Sequence, residues 1–419
     1  MFSRQVCARM CAWVLRISAG LLAASFAPQA VAEDGGDFGV ALASGDTSIG
    51  VRYRYEFVDQ EGIDEDANAS TARLRFNYRT GDWLGWSAFG EFDHVFHVGL
   101  RDFNSGAGTS PGRTQYPVVA DPSGSDLNQL YVEYSNSDDW LLRIGRQRIL
   151  LDNQRFVGGV GWRQNEQTYD GLTYSFNATP STSFSYSYVS RVRRIFGDGV
   201  PAGKDDVNHH LFNARVEIND SWTVVPYIYY LDYEDMARAS NSSATTGVRA
   251  TGSVGSREGR VALTAEIATQ SDVANNPVSY DAFYWHVDAA WALSDELTIG
   301  LGYESLGADG GTGQSFRTPL ATLHAFQGWA DRFLIPQPGG VDDLQFRAVW
   351  KVGDWSVTGV YHDFAAETGG GDYGSEIDLS ASRKLGERYG LLIKAAFFSG
   401  DAPGFPDTTK LWLQLTAAY

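Results

Sequence analysis

The sequence predicts an all-β protein, a transmembrane antiparallel β-barrel of about 18 strands with short periplasmic turns and long extracellular loops. Three observations carry this. Segments of about ten residues alternate between apolar or aromatic and polar positions. The connections between them alternate short and long. After residue 32 no stretch approaches 18 uninterrupted apolar residues, although 43% of the chain is apolar and 13% aromatic. A strand with lipid on one side and water on the other requires a two-residue period, because successive side chains point to opposite faces.

The chain opens with Arg4, Arg9 and Arg16 and no acid, then an apolar stretch from Ile17 to Ala27, then Ala30-Val31-Ala32 before Glu33. This pattern predicts a secretory signal peptide over 1–32, with a single barrel over 33–419. The apolar part is too short to cross ~30 Å of hydrocarbon as a helix. Both cysteines, Cys7 and Cys11, lie inside it, so the mature chain would hold no disulfide and no thiolate metal site. The mature 387 residues carry 30 basic groups, the 33 of the whole chain less those three, against 51 acids. A net charge of −21 argues against nucleic acid as a partner.

Strand starts are expected near 47, 70, 83, 126, 139, 167, 181, 208, 221, 245, 258, 280, 295, 341, 354, 374, 387 and 408. In the first, Val51, Tyr53, Tyr55 and Phe57 alternate with Arg52, Arg54 and Glu56; in the second, Leu74, Phe76 and Tyr78 alternate with Arg73, Arg75, Asn77 and Arg79. An even count suits a bacterial barrel. The short connections include Thr80-Gly81-Asp82, Asn219-Asp220-Ser221 and Gly353-Asp354; a soluble sandwich has no reason to keep every long loop on one side. Trp83, Trp140, Trp222 and Trp355 each follow a short turn and are expected to form one aromatic girdle, against the plainer reading of core tryptophans after tight turns. The last strand alternates Leu411, Leu413, Leu415, Ala417 and Tyr419, the aromatic end that barrel-assembly machinery reads.

Three stretches resemble the alginate export family of outer-membrane channels: RIGRQRILLDNQRFVGGVGWRQNEQTYDG from Arg143 to Gly171, FRTPLATLHAFQGWADRFL from Phe316 to Leu334, and DTTKLWLQL from Asp407 to Leu415. The resemblance implies a monomeric 18-stranded barrel in the outer membrane, among lipid and lipopolysaccharide. Its lumen would be lined by arginines and partly obstructed by loops. The best-known members conduct the polyanion alginate outward, but members differ in substrate, so the family leaves the cargo open.

Independently of the family, strand parity places Arg52, Arg54, Arg73, Arg75, Arg143, Arg191, Arg193, Arg215 and Arg347 on the lumenal face, and 25 of the 30 basic residues after Ala32 are arginine. A guanidinium stays charged and offers a fork matched to carboxylates, so aligned arginines can pass an anion between weak sites. The alternative is pairing with acids of the same parity, among them Glu56, Glu91, Asp93, Glu133 and Glu217.

Loops about 98–125, 151–166 and 306–340 are expected to line or cap the pore. The connection from Leu150 to Gln167 carries Asp152, Asn153, Gln154, Arg155, Arg163, Gln164, Asn165 and Glu166, groups suited to saccharide hydroxyls and carboxylates or to packing on the barrel itself. Arg146 and Arg148 share the parity of Ile144 and are expected above the apolar band or after a bulge. In the longest loop, Leu320, Leu323, Phe326, Ala330 and Phe333 have near-helical spacing after Thr318-Pro319, which predicts a helix bearing His324, Trp329, Asp331 and Arg332 at the mouth.

The expected function is an outer-membrane channel for passive passage of anionic solutes, foremost alginate or a related anionic saccharide, with a small-carboxylate or general porin as alternative and a barrel adhesin or lipid-modifying enzyme as remoter readings. The seven histidines show no metal spacing beyond adjacent or i, i+3 pairs, and no cofactor motif is present. In Tyr361-His362-Asp363 the neighbours would face opposite ways along a strand.

Overall fold

The computed structural model describes residues 36–419 apart from Asp138, Arg257 and Glu258. The expected signal peptide, with Cys7 and Cys11, lies outside the described residues. Within them, a short helix α1 (Phe38–Ala43) precedes the strands.

The strands are β1 (Asp46–Gln60), β2 (Ala67–Arg79), β3 (Trp86–Asp102), β4 (Gly124–Ser137), β5 (Trp140–Gln147), β6 (Thr168–Thr179), β7 (Thr182–Arg193), β8 (Lys204–Asn219), β9 (Trp222–Leu231), β10 (Ser243–Val254), β11 (Val261–Asp272), β12 (Asp281–Ala292) and β13 (Leu297–Leu306). A two-residue ladder, β14 (Ala308–Asp309) with β15 (Gln314–Ser315), interrupts the longest loop. Then follow β16 (Val341–Val352), β17 (Trp355–Ala365), β18 (Asp372–Leu385), β19 (Tyr389–Gly400) and β20 (Thr408–Ala418).

Each long strand pairs antiparallel with its sequence neighbours, and β1 pairs with β20 from Gly50↔Ala418 to Gln60↔Thr408, so the 18 strands close into a barrel. Closure leaves no edge of unpaired backbone groups, which hydrocarbon would not tolerate. The expected starts lie within four residues of the observed ones. Short turns gather at one end; loops 61–66, 103–123, 148–167, 194–203 and 307–340 stand among those at the other.

The burial pattern is inverted relative to a soluble sandwich. Leu130, Ile267, Leu301, Phe346, Ile377 and Leu411 are exposed, whereas Glu91, Glu266, Glu304, Asp343, Glu376 and Lys410, of the opposite parity on the same or the adjoining strand, are buried. The apolar parity therefore faces outward and the charged parity faces the lumen. At the turn end the outer face carries a chain of rings, Trp86 to Tyr134 (4.8 Å), Tyr134 to Trp140 (5.2 Å), Trp140 to Tyr174 (6.1 Å) and Phe176 to Phe184 (5.2 Å). This corrects the girdle in one member. Trp83 sits in the turn before β3, packed on Phe38 at 5.3 Å, and Trp86 takes the strand entry instead, because Leu84 and Gly85 at φ 54° and 83° tighten the turn.

Candidate functional site

Two loops fold into the lumen and pack against its inner wall. Loops 148–167 and 307–340 fold inward and join each other: Val157 bridges Leu320, Gly158 N–H donates to the Leu320 carbonyl (2.8 Å), and Thr322 N–H to the Gln154 carbonyl (3.0 Å). Their apolar side chains meet the inner wall in one cluster, where Phe156, Phe316, Leu320 and Phe333 pack with Tyr227, Tyr284, Phe364 and Phe398. Burial of this much apolar surface, ~25 cal/mol per Å², explains why a loop bearing Leu320 and Phe333 leaves water.

The helix expected around 320–333 does not form beyond a single turn at Leu323–Ala325. Its backbone donors are captured by the wall: Trp329 N–H donates to Asp378 Oδ2 (3.1 Å) and Ala330 N–H to Glu376 Oε1 (2.7 Å). Gln327, Gly328 and Asp331 take positive φ of 46°, 77° and 62°, which breaks helical continuity. At Gly328 a Cβ would overlap the Glu376 carboxylate, so the loop approaches the wall here only as glycine.

Charged groups pin the same loops. Arg163 donates to Glu56 (3.0 Å) and to Asp331 (3.1 Å); Lys410 also reaches Asp331 (2.7 Å). Arg155, fully buried, binds Glu304 (2.6 Å) and Gln327 (3.0 Å), and Tyr284 adds its hydroxyl to the same carboxylate (2.7 Å). Asp152 pairs with Arg249 (2.7 Å), and Asn153 Oδ1 accepts from Arg155 N–H (3.1 Å). Gln154 accepts from the Thr322 hydroxyl (2.8 Å), and Asn165 donates to the Ile195 carbonyl (3.1 Å). Arg332 reaches Gln60 (3.2 Å).

His324 stacks on Trp162 at 4.6 Å, its Nδ1 lies 2.7 Å from Asp331 and its Nε2 2.7 Å from Lys394 Nζ. The lysine donates, so the ring is neutral with its proton on Nδ1 facing Asp331. Burial, against the pull of Asp331, holds this imidazole down to about 3. The Lys394 ammonium itself lies 3.6 Å from the Trp329 ring centre and 4.4 Å from that of Trp162.

The remaining wall, β1 to β5, carries arginines in tiers. Toward the turn end Arg79 (3.2 Å) and Arg143 both bind Glu133. Above them Arg75 forks onto Asp93 (2.7 and 2.6 Å) and reaches Glu166 (3.0 Å). Arg148 binds Glu91 and Glu166 (2.5 Å), and Arg73 reaches Glu166 (3.5 Å). Among the described residues Arg52 meets no acid within ion-pair distance but binds Gln164 (3.0 Å) and the Gly161 carbonyl (2.9 Å), while Arg54 lies 3.7 Å from Asp121. Although burial raises it, the Glu166 carboxyl is drawn down to about 2 by Arg75 and Arg148.

Arg215 and Arg347 also face inward, beside Glu217 (3.4 Å) and Asp288 (3.1 Å). Arg191 and Arg193 do not. Against β6, where Gly171 pairs with Val189 and Asp170 with Arg191, Ser190 is an inserted residue, so Val189 and Val192 are both fully buried inside and the two arginines turn to the opposite face. There they bind Asp206 (2.5 Å), Asp170 (2.9 Å) and Asp198 (2.7 Å), and Arg146 joins them on Asp170 (3.0 Å). Arg148, beyond the end of β5, turns inward and departs from the parity of Ile144.

Lys394, Lys410, Glu376, Asp378 and Arg249 were not singled out by the sequence, although alternation with outward Leu411 and Ile393 already places Lys410 and Lys394 inside. His362 binds Asp343 (2.9 Å) rather than its neighbour Asp363, with exposed Tyr361 on the other face.

A family model described as alginate export matches residues 45–318. That range contains the stretch 143–171 and ends where the stretch from Phe316 begins. A comparison with curated proteins returns no match. Among solved structures, Pseudomonas aeruginosa OccK9 (OpdG) has a TM-score of 0.69 at 13% identity, covering 90% of this chain and 100% of that one. Acinetobacter baumannii OccAB2 gives 0.69 at 13%, covering 91% and 99%. Pseudomonas aeruginosa OpdK, solved with vanillate, gives 0.67 at 13%, covering 90% and 99%. At these identities the likeness is one of fold. A closed 18-stranded porin barrel, narrowed from within by its own loops and matched over most of its length by the family model, is thus a member of the alginate export family of outer-membrane channels.

Proposed function

We propose that the channel passes anionic saccharides, alginate or a related polyuronate, across the outer membrane along the β1–β5 wall. One observation supports this most: five guanidinium groups, those of Arg73, Arg75, Arg79, Arg143 and Arg148, share four carboxylates, those of Glu91, Asp93, Glu133 and Glu166, while a sixth on the same wall, Arg52, meets none of the four. The wall keeps a positive surplus in a chain with far more acids than bases. The side chains of Arg79 and Arg148 are 40% and 25% exposed, so they offer donors to a passing anion. Paired guanidinia bind a guest weakly, and conduction needs several weak sites in series.

Reversal potential in a salt gradient across a planar bilayer, with and without uronate oligomers, tests the reading. Anion preference and block by uronates are expected; cation preference would overturn it.

A second reading, a channel for small carboxylates, is favoured by how tightly the two inserted loops are pinned and by the vanillate found with OpdK. It predicts block by monomeric aromatic or aliphatic carboxylates and none by uronate oligomers. Export through a signal peptide over 1–32, assembly through the strand ending at Tyr419 and a monomeric state complete the proposal.

A further inference from the structure

Arg101, at the loop end of β3, and Arg113, in loop 103–123, take no part in the wall or the inserted loops. Both line a cleft of about 460 Å³ between loop 103–123 and loop 194–203, together with His97, Ser105 and Ser123. That volume lies within the ~300–1,000 Å³ usual for small-ligand sites.

Most arginines of this chain sit on a carboxylate, but among the described residues neither Arg101 nor Arg113 has one. Arg113 spends one donor on the Arg101 carbonyl, which places the two residues together at the cleft. The acid on the lining, Asp198, already accepts two bonds from Arg193 (2.7 Å each), so it leaves the surplus charge standing. His97 lines the same cleft, its ring packed edge-on against Phe103 at 5.1 Å. Two guanidinium forks without a carboxylate, beside serine hydroxyls, form a site with more donors than its own side chains can satisfy.

We propose that this cleft binds a carboxylate-bearing saccharide unit at the loop end of the barrel, with Arg101 and Arg113 on the carboxylate and the serines on sugar hydroxyls. The choice of a saccharide rests on the function proposed above. The cleft would hold a chain end beside the pore mouth and raise its local concentration there.

The test is calorimetric titration of the purified full-length barrel in detergent with a uronate trisaccharide and, in parallel, a neutral trisaccharide of similar size. The protein is compared with R101Q/R113Q, and the heat-modifiable band on unheated gels reports folding. If the double variant fails to fold, R113Q alone, in a loop, replaces it. The uronate is expected to bind the parent and to bind the variant roughly ten- to a hundred-fold more weakly, the loss that follows from removing charge-assisted hydrogen bonds; the neutral sugar should not bind. Equal affinity for parent and variant, equal binding of the neutral sugar, or no uronate binding by the parent would each overturn the proposal. The two readings fail separately: anion selectivity in bilayers with no loss in R101Q/R113Q defeats the cleft alone, while cation selectivity with an intact loss defeats the wall.

Discussion

The Arg163 guanidinium meets the Glu56 carboxylate at 3.0 Å across 107 residues of chain, joining an inserted loop to the first strand of the barrel. Its other amino group holds Asp331 of the second inserted loop at 3.1 Å, so one side chain ties three elements.

Arg163→Met should therefore release both loops. It leaves Glu56 and Asp331 buried with a partner missing, a change that costs ~3–5 kcal/mol. The expected outcome is a lower unfolding temperature and a larger single-channel conductance in planar bilayers. An unchanged conductance would show that the loops are held elsewhere.

Gly328 provides a milder lever. With φ at 77° and the Glu376 carboxylate where a Cβ would go, Gly328→Val should push residues 327–331 off the wall at a cost of about 1–3 kcal/mol. Deleting 318–334 should raise conductance further. The ranking parent, G328V, deletion in conductance traces checks the constriction; equal values would remove it.

Selectivity should respond to Glu133, which neutralises Arg79 and Arg143 near the turn end. Glu133→Gln frees two guanidinia, so the reversal potential should move toward the anion limit, and Arg143→Gln should move it back. A shift of E133Q toward cations would contradict the role given to this wall.

Acid should loosen the constriction. The folded-state imidazole of His324 is held down to about 3 by burial, below its ordinary value near 6.5, so between those values the unfolded or displaced loop binds the proton and the packed loop does not. Stability is present above pH 6.5 and falls as the pH drops toward 3. Glu166, drawn to about 2 by Arg75 and Arg148 despite its burial, acts in the same direction at lower pH: its contribution is full above the ordinary carboxylate range and is lost as the pH falls through 2. Conductance recorded from pH 7 to 4 should rise, and His324→Gln should flatten the rise. A pH-independent parent would refute the assignment.

The sequence by itself determined the barrel, its strand count and the ends at which turns and loops gather. These follow from a local rule: neighbours on a strand face opposite media, so period and loop length can be read residue by residue. The inward parity of Arg52, Arg54, Arg73, Arg75 and Arg143 came from the same rule. Only the tertiary structure decided what departs from it. A single residue inserted against β6, Ser190, carried Arg191 and Arg193 to the other face, and no composition signals a bulge there. The apolar residues between Leu320 and Phe333 have helical spacing, yet carboxylates from β18 took the backbone donors a helix would use. Whether an arginine is free or paired depends on partners such as Glu56 for Arg163 and Glu304 for Arg155, 107 and 149 residues away. Those pairings arise from how a closed cylinder folds its loops inward, which alternation along the chain does not encode.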